Sequence, residues 1–182
     1  MRIVSGSARG RRLHEPKGRD IRPTTDKVKE SIFNIIQFDV EGRTVLDLFA
    51  GTGQLGIEAL SRGAAGAVFT DASPAAVALV RENLSEVGLG ECAEVYQTDA
   101  ISYLEHCGRK FHLILLDPPY GTGLLEKALK TIFEFDILRQ NGIIICESGV
   151  EEELGDIPAP YELRKTYRYG KIKLSLILRG GE

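Results

Sequence analysis

The stretch LDLFAGTGQLG, residues 46–56, places three glycines directly after an apolar run. Its Gly51-x-Gly53-x-x-Gly56 spacing predicts a buried strand that turns into a helix, with its backbone close enough to touch a nucleotide cofactor. The same spacing is typical of NAD sites and of sites for other nucleotide cofactors. The glycines alone therefore do not identify the ligand, and the surrounding residues must do so.

Strand and helix patterns alternate on the C-terminal side of these glycines. RTVLDLF, GAVFTDA, AEVYQTD, FHLILLDPPY and GIIICES each read as a strand, and apolar residues at helical spacing lie between them. A glycine-centred turn between YELRKTYRYG and KIKLSLILR indicates an antiparallel hairpin instead of another crossover. We therefore predict an α/β fold: a Rossmann-like, doubly wound, seven-stranded and mostly parallel sheet with an antiparallel C-terminal hairpin.

The composition is that of a soluble globular protein of one domain. The 182 residues are 43% hydrophobic and 27% charged, and no apolar run approaches the ~20 residues of a membrane span. We expect a cytoplasmic monomer with no membrane partner. The three cysteines and three histidines are scattered without metal-ligand spacing, so no metal is expected.

Charge is unevenly distributed along the chain. Residues 1–29 carry nine basic and three acidic side chains, a net charge of +6, which leaves −9 for the remainder of a chain whose total is −3. RIVS and RRLH read as a short hairpin, so we predict a basic N-terminal arm over residues 1–24 and a single domain over residues 25–182. The arm suggests a bound polyanion, although a solvated hairpin fits the same count. The candidate RNA-binding residues are Arg9, Arg11, Arg12, Lys17 and Arg19.

Each of the first four predicted strands ends near an aspartate: Asp47, Asp71, Asp99 and Asp117. Asp71 lies where NAD and S-adenosylmethionine sites both need an acceptor for ribose hydroxyls, and it can equally cap the next helix. Asp47 discriminates between the two cofactors. A pyrophosphate over the helix N-terminus disfavours a nearby carboxylate, whereas an amino-acid ammonium group favours it. S-adenosylmethionine supplies that cation, and its adenine amine can donate to Asp99.

The segment from Asp117 to Tyr120, Asp-Pro-Pro-Tyr, ends an apolar strand. Two prolines stop the strand and leave carbonyl acceptors free. Methylation of an exocyclic base amine needs two acceptors for its N–H groups, which Asp117 and the carbonyl of Pro118 provide, and Asp117 can take up the released proton. Tyr120 offers a stacking face for the base.

These motifs resemble those of class I S-adenosylmethionine-dependent methyltransferases, and more closely the bacterial small-subunit (16S) ribosomal RNA guanine-N2-methyltransferase family. The matching segments are MRIVSG with GRRL, RPTTDKVKESIFNII, VLDLFAGTGQLGIEALSRGA, LLDPPY and RYGKIKLS. The resemblance implies S-adenosylmethionine as cofactor, S-adenosylhomocysteine as product, and 16S ribosomal RNA, in the small subunit or its assembly intermediate, as partner.

The resemblance also implies the roles of individual residues. The segment from Asp117 through Pro118 and Pro119 to Tyr120 is expected to bind the target amine. The expected cofactor contacts are Arg22, Thr24, Thr25, Asp47, Gly51, Gly53, Asp71, Asp99 and Ala100. Two alternatives stay open at this point: an adenine-N6 methyltransferase acting on DNA or RNA, since Asp-Pro-Pro-Tyr serves that chemistry equally well, and an NAD-binding oxidoreductase.

Overall fold

The computed structural model of the protein describes residues 1–16 and 25–181, and within those ranges seven strands form one sheet. The strands are β1 (Thr44–Asp47), β2 (Gly66–Asp71), β3 (Ala93–Gln97), β4 (Phe111–Leu116), β5 (Leu138–Gly149), β6 (Tyr161–Tyr169) and β7 (Ile172–Arg179). The α-helices of the same ranges are α1 (Asp26–Ile35), α2 (Gln54–Ser61), α3 (Pro74–Val87), α4 (Ala100–His106) and α5 (Leu124–Glu134).

The strand order across the sheet is β3-β2-β1-β4-β5-β7-β6. Strands β1 to β5 run parallel, β7 pairs antiparallel with β5, and β6 pairs antiparallel with β7. The chain first steps outward from β1 to β3 and then continues from β4 on the other side of β1, so the order reverses between β1 and β4. Ligands of doubly wound sheets bind beyond the carboxyl ends of the strands at such a reversal. The predicted sheet and C-terminal hairpin are confirmed.

Two apolar clusters cover the two faces of the sheet. One contains Phe33 of α1 and Val45 of β1, and the other contains Leu129 of α5 and Leu46 of β1. The neighbouring residues Val45 and Leu46 are both fully buried because β1 is an inner parallel strand covered by helices on each side. This burial fixes the end of β1, and therefore the glycine loop that follows it, in a rigid position.

Helix α3 begins and ends at residue types that are typical of helix caps. The Ser73 hydroxyl accepts a hydrogen bond from the N–H of Ala76, and Pro74 occupies the first turn. Gly88 ends the helix in the left-handed conformation, with φ 70°. The fixed start of α3 positions the loop after β2.

Strand β5 begins earlier than the apolar pattern predicts. GIIICES predicts a strand from Gly142, whereas β5 starts at Leu138. Its register with β4 shifts between Phe111 and Leu113, and Asn141 has φ 55°, so the exposed polar residues 139–141 make the first part of the strand irregular. An irregular strand loses the alternation of apolar and polar residues by which sequence analysis detects strands.

Residues 1–16 form the predicted N-terminal hairpin and pack on the domain. Arg2 and Arg12 make an antiparallel bridge, and Ile3 and Leu13 are buried in the core that also contains α1. The arm is therefore held by apolar burial as well as by hydrogen bonds. Its predicted boundary at residue 24 lies outside the described ranges and stays a prediction.

Two polar residues of α2 hold the hairpin backbone. The buried Glu58 carboxylate accepts hydrogen bonds from the N–H of Val4 at 2.8 Å and the N–H of Ser5 at 3.0 Å. The carbonyl of Ser61 accepts from the N–H of Ser7 at 2.7 Å. Ser61 is the last residue of α2, so the turn of the hairpin lies beside the C-terminal end of that helix.

Candidate active site

The loop between β1 and α2 exposes its backbone at the reversal point of the sheet. Gly51 has φ 55° and Gly53 has φ 77°, a left-handed conformation that favours glycine at both positions. A Cβ added at Gly51 would meet no atom within 4 Å, so open space adjoins this backbone. The loop is thus fixed in shape and accessible to a ligand on one side.

Asp71, at the end of β2, ties the glycine loop to the start of α3. One carboxylate oxygen accepts from the N–H of Gly51 at 2.9 Å, and the other accepts from the N–H of Ser73 at 2.8 Å. The sequence left open whether Asp71 caps the following helix, and the structure gives the side-chain cap to Ser73. Asp71 remains half-buried beside the loop, in a suitable place to accept hydrogen bonds from a ribose.

Asp47 lies beneath the glycine loop. Its side chain is buried, and its carboxylate accepts a hydrogen bond from the N–H of Gly56 at 2.9 Å. Burial raises the pKa of Asp47 to about 7; the hydrogen bond from the N–H of Gly56 opposes this rise, and the nearby Asp71 carboxylate adds to it. The predicted contact between Asp47 and the ammonium group of the cofactor stays a prediction. A cation at this position would favour the ionised carboxylate.

Asp99 occupies the start of α4, beyond the end of β3. One of its oxygens accepts from the N–H groups of Ile101 and Ser102, both at 3.0 Å. Ala100 follows as the first residue of the helix and is buried. The cap fixes the Asp99 carboxylate at the same edge of the sheet as Asp71, and the predicted cofactor contacts of Asp99 and Ala100 remain predictions.

The Asp-Pro-Pro-Tyr segment follows β4 directly. Asp117 is half-buried, Pro118 is buried, and Pro119 is exposed. Tyr120 is 39% exposed, and its hydroxyl donates a hydrogen bond to the Glu147 carboxylate at 2.7 Å. The ring therefore presents a partly open face while its hydroxyl is anchored.

Two glutamates of this region, Glu147 and Glu152, were not predicted from the sequence. Glu147 lies in β5 with 4% of its surface exposed, and it holds Tyr120. The carboxylate of Glu152 accepts from the N–H of Gly121 at 2.8 Å and from the N–H of Gly149 at 2.9 Å. A charged residue inside the apolar strand GIIICES was the available signal for Glu147, because buried carboxylates need partners.

The predicted upstream cofactor segment lies only partly within the described residues. Arg22 and Thr24 lie outside the described ranges. The hydroxyl of Thr25 accepts from the N–H of Val28 at 3.3 Å and caps α1. The expected contacts of all three residues with the cofactor stay predictions.

Three of the five candidate RNA-binding residues of the N-terminal arm lie within the described ranges. Arg9, Arg11 and Arg12 are all exposed, whereas Lys17 and Arg19 lie outside the described ranges. The guanidinium of Arg11 donates to the carbonyl of Glu86 at 2.9 Å, near the end of α3. Helices of a parallel α/β sheet run opposite to its strands, so this end of α3 lies at the edge where the strands begin. RNA contact by these arginines stays a prediction.

Neither a metal site nor a membrane span occurs in the part of the chain that the structure describes. Within residues 1–16 and 25–181, no three His, Cys, Asp or Glu side chains are grouped to hold a metal ion. Across those same ranges, no helix is long and apolar enough to cross a membrane.

The acidic side chains of the site fit the polar groups of S-adenosylmethionine. Asp47, Asp71 and Asp99 place three carboxylates at the strand ends around the glycine loop, suited to an ammonium group, a ribose and an adenine amine. The open space beside Gly51 admits a ligand against the backbone. A pyrophosphate over the start of α2 would instead lie close to the Asp47 carboxylate beneath the glycine loop, which disfavours NAD.

Comparisons with known proteins agree with this arrangement. A family model described as "Conserved hypothetical protein 95" matches residues 1–178. The chain is 40% identical over 184 residues to "Putative rRNA methyltransferase YlbH" of Bacillus subtilis, covering 100% of both chains. It is 36% identical over 179 residues to ribosomal RNA small subunit methyltransferase D of Escherichia coli strain K12, covering 98% of this chain and 90% of that protein.

Solved structures share the fold. "Putative methyltransferase yhhF from Escherichia coli" superposes with a TM-score of 0.91 at 34% identity, covering 100% of this chain and 99% of the other. An RNA methyltransferase from Salinibacter ruber in complex with S-adenosyl-L-homocysteine has a TM-score of 0.69 at 20% identity, covering 88% and 95%. These matches, together with the acidic edge, exclude the NAD-binding oxidoreductase. The chain belongs to the conserved hypothetical protein 95 family and is a relative of ribosomal RNA small subunit methyltransferase D, within the class I S-adenosylmethionine-dependent methyltransferases.

Proposed function

We propose that this protein methylates the exocyclic N2 amine of a guanine in small-subunit (16S) ribosomal RNA. The observation that carries the proposal is the pairing of the two strands that precede the motifs. β1 and β4 are neighbours in register, and the N–H of Leu48 donates to the carbonyl of Leu115 at 3.2 Å. The glycine loop and the Asp-Pro-Pro-Tyr segment therefore start side by side at one edge of the sheet.

Asp117 and Pro118 have the chemistry that a base amine requires. The lone pair of an exocyclic amine is delocalised into the ring, so the amine is a poor nucleophile until its N–H groups are held out of that plane. The Asp117 carboxylate and the Pro118 carbonyl are two acceptors for those N–H groups, and Asp117 can accept the released proton. When bound, S-adenosylmethionine supplies the methyl group. Most of the acceleration is expected from alignment of donor and amine.

Tyr120 is suited to hold a base that has left its stack. Its ring is partly exposed, and the hydrogen bond to Glu147 limits rotation of the side chain. Stacking on such a ring contributes about 1–3 kcal/mol per base and tolerates any base. Tyr120 therefore supports base binding without choosing between guanine and adenine.

The choice of substrate rests on the relatives. The names of the Escherichia coli and Bacillus subtilis proteins place their activity on ribosomal RNA, and the former on the small subunit. We extend this substrate to the present chain and expect it to act as a cytoplasmic monomer. The N-terminal arm, with Arg9, Arg11 and Arg12 exposed on it, is proposed to contribute to RNA binding.

The decisive experiment is methyl transfer from labelled S-adenosylmethionine to small subunits that lack this modification, followed by nucleoside analysis. N2-methylguanosine is the expected product. N6-methyladenosine would contradict the guanine assignment and support the adenine-N6 alternative. Parallel reactions with protein-free 16S RNA show whether naked RNA suffices.

An Asp117→Ala variant tests the role of the motif within this reaction. Transfer should fall by at least about a hundredfold, as is typical for loss of a general base, while S-adenosylhomocysteine still binds. Glu105→Gln, a change at an exposed acid of α4, is the matched control and should leave transfer unchanged. Loss of cofactor binding in Asp117→Ala would contradict the role proposed for Asp117.

A further inference from the structure

Hydrogen bonds through Glu152 connect the residue after Tyr120 to the end of β5. Glu152 receives hydrogen bonds from the N–H of Gly121 and the N–H of Gly149, at 2.8 and 2.9 Å. A Cβ added at Gly149 would lie 3.9 Å from the Tyr120 ring. The end of β5 therefore borders the place where the target base is proposed to lie.

The turn between β6 and β7 lies next to this end of β5. Gly149 is opposite Ile172 in the antiparallel register of β5 and β7, and the N–H of Val150 donates to the carbonyl of Lys171 at 3.2 Å. Gly170 has φ 62° and forms the turn with Lys171. The C-terminal hairpin thus brings its turn to the strand-end edge that holds Tyr120.

This hairpin is a second basic region of the chain, separate from the basic residues counted within residues 1–29. Residues 163–179 contain six cations and no acid. The cations are Arg164, Lys165, Arg168, Lys171, Lys173 and Arg179. Arg164 forms an ion pair with Glu162, and Arg179 forms one with Asp136. The cations closest to the turn in the sequence are Arg168, Lys171 and Lys173.

The cations at the turn, Arg168, Lys171 and Lys173, form no ion pair with the acidic side chains of residues 1–16 and 25–181. Arg168 is directly opposite Lys173 in the sheet register, an arrangement of like charges that destabilises a strand pair. The Lys173 ammonium group donates to the backbone carbonyls of Val150 and Glu152. Arg168 and Lys171 are both exposed and, within residues 1–16 and 25–181, form no ion pair.

We infer that Arg168 and Lys171 bind phosphates of the RNA strand that carries the target nucleotide. A polyanion at the turn relieves the repulsion between Arg168 and Lys173 and holds the strand while its base lies beside Tyr120. The inference rests on the proposed RNA substrate and deepens it. It assigns the RNA contact nearest the chemistry to the C-terminal hairpin, at the opposite edge of the sheet from Arg11.

The test is a double variant, Arg168→Gln with Lys171→Gln. Lys171 makes its hydrogen bond to Val150 through the backbone, so the substitutions keep the turn. Lys130→Gln with Arg139→Gln is the matched control, since it removes two exposed cations from α5 and from the start of β5. Binding of unmodified small subunits is measured against salt concentration for both variants and the unaltered chain, with S-adenosylhomocysteine binding as a check of the folded site.

Each phosphate contact contributes about 0.7–0.9 to the slope of log affinity against log salt concentration. The Arg168/Lys171 variant should therefore lose about 1.5 from the slope and at least about tenfold in affinity near 0.1 M salt. The control should keep both values. An unchanged slope, or an equal loss in the control, overturns the inference while leaving the proposed function intact. If the unaltered chain neither binds nor methylates small subunits, the proposed function fails as well.

Discussion

The carboxylate of Asp47 accepts a hydrogen bond from the backbone N–H of Gly56 at 2.9 Å. Asp47 ends β1 and Gly56 lies in the first turn of α2, where helix N–H groups lack partners within the helix. The hydrogen bond therefore fixes the position of the first turn of α2 relative to the end of β1. Gly56 also packs on the ring of Phe69, because a Cβ at Gly56 would lie 2.3 Å from a ring carbon. The third glycine of the loop thus has a packing role.

Gly56→Ala should destabilise the fold. Alanine is intrinsically better than glycine inside a helix by about 1 kcal/mol, but the contact with Phe69 forces strain. We expect a net loss of about 2 kcal/mol in the free energy of unfolding, measured with urea. Gly90→Ala is the control, since a Cβ there meets no atom within 4 Å and it should change stability by less than about 0.5 kcal/mol. A more stable Gly56→Ala protein would contradict this account.

Glu58→Gln should loosen the N-terminal hairpin. Glu58 is buried, accepts from the N–H groups of Val4 and Ser5, and lies 4.0 Å from the buried ammonium group of Lys29. Removal of its charge leaves that cation less compensated, at a cost of about 3 kcal/mol. The measurement is urea unfolding together with trypsin cleavage in the hairpin. Glu30→Gln, at an exposed position of α1, should alter neither quantity.

Asp71→Asn should weaken cofactor binding without unfolding the protein. The amide has one acceptor oxygen in place of the two that receive the N–H groups of Gly51 and Ser73. It also offers a weaker acceptor to a ribose. The dissociation constant for S-adenosylhomocysteine, measured by calorimetry, should rise about 10- to 100-fold. Unchanged affinity would remove Asp71 from the cofactor site.

Substitutions of Tyr120 separate stacking from positioning. Tyr120→Phe keeps the ring but removes the hydrogen bond to Glu147, so kcat should fall by about tenfold with little change in KM for the RNA. Tyr120→Ala also removes the stacking face and should lower kcat/KM by a further 10-fold or more. Steady-state methyl transfer to small subunits measures both. Equal values for the two variants would mean that the ring does not bind the base.

Sequence patterns located the residues whose role depends on position along a strand. Asp71 and Asp117 follow apolar runs, and strand ends of a parallel sheet meet at one edge, so both were placed in the site. Glu147 was missed because its contact with Tyr120 depends on how β5 lies beside the loop after β4. Local apolar periodicity carries no information on that relation between distant segments.

Charge counting identified basic residues without giving their places in the fold. The count drew attention to the N-terminal arm, and the structure places Arg11 beside Glu86, near the end of α3. The second basic region, around Arg168 and Lys171, was not counted separately because its charges lie in two strands and their turn. Only the pairing of β7 with β5 brings that turn beside the site.

Asp47 should make stability depend on pH in an unusual direction for an aspartate. Burial raises its pKa in the folded chain from 3.8 to about 7, so the folded protein holds a proton that the unfolded chain releases between those values. The contribution of protonated Asp47 to the free energy of unfolding is fully present below about pH 4. It declines by about 4 kcal/mol as the pH rises to 7 and is constant above that pH. Asp47→Asn keeps an acceptor for Gly56 and removes this dependence.

The Asp47 measurement is urea unfolding of the unaltered chain and Asp47→Asn from pH 4 to pH 8, with Asp156→Asn, at an exposed position, as control. The difference in unfolding free energy between the unaltered chain and Asp47→Asn should shift in favour of Asn by several kcal/mol across this range. If the cofactor's ammonium group approaches Asp47, binding also releases the proton below pH 7. Calorimetry in two buffers of different ionisation enthalpy then detects that proton in the unaltered chain and not in Asp47→Asn. A pH-independent difference in stability would show that Asp47 is ionised throughout.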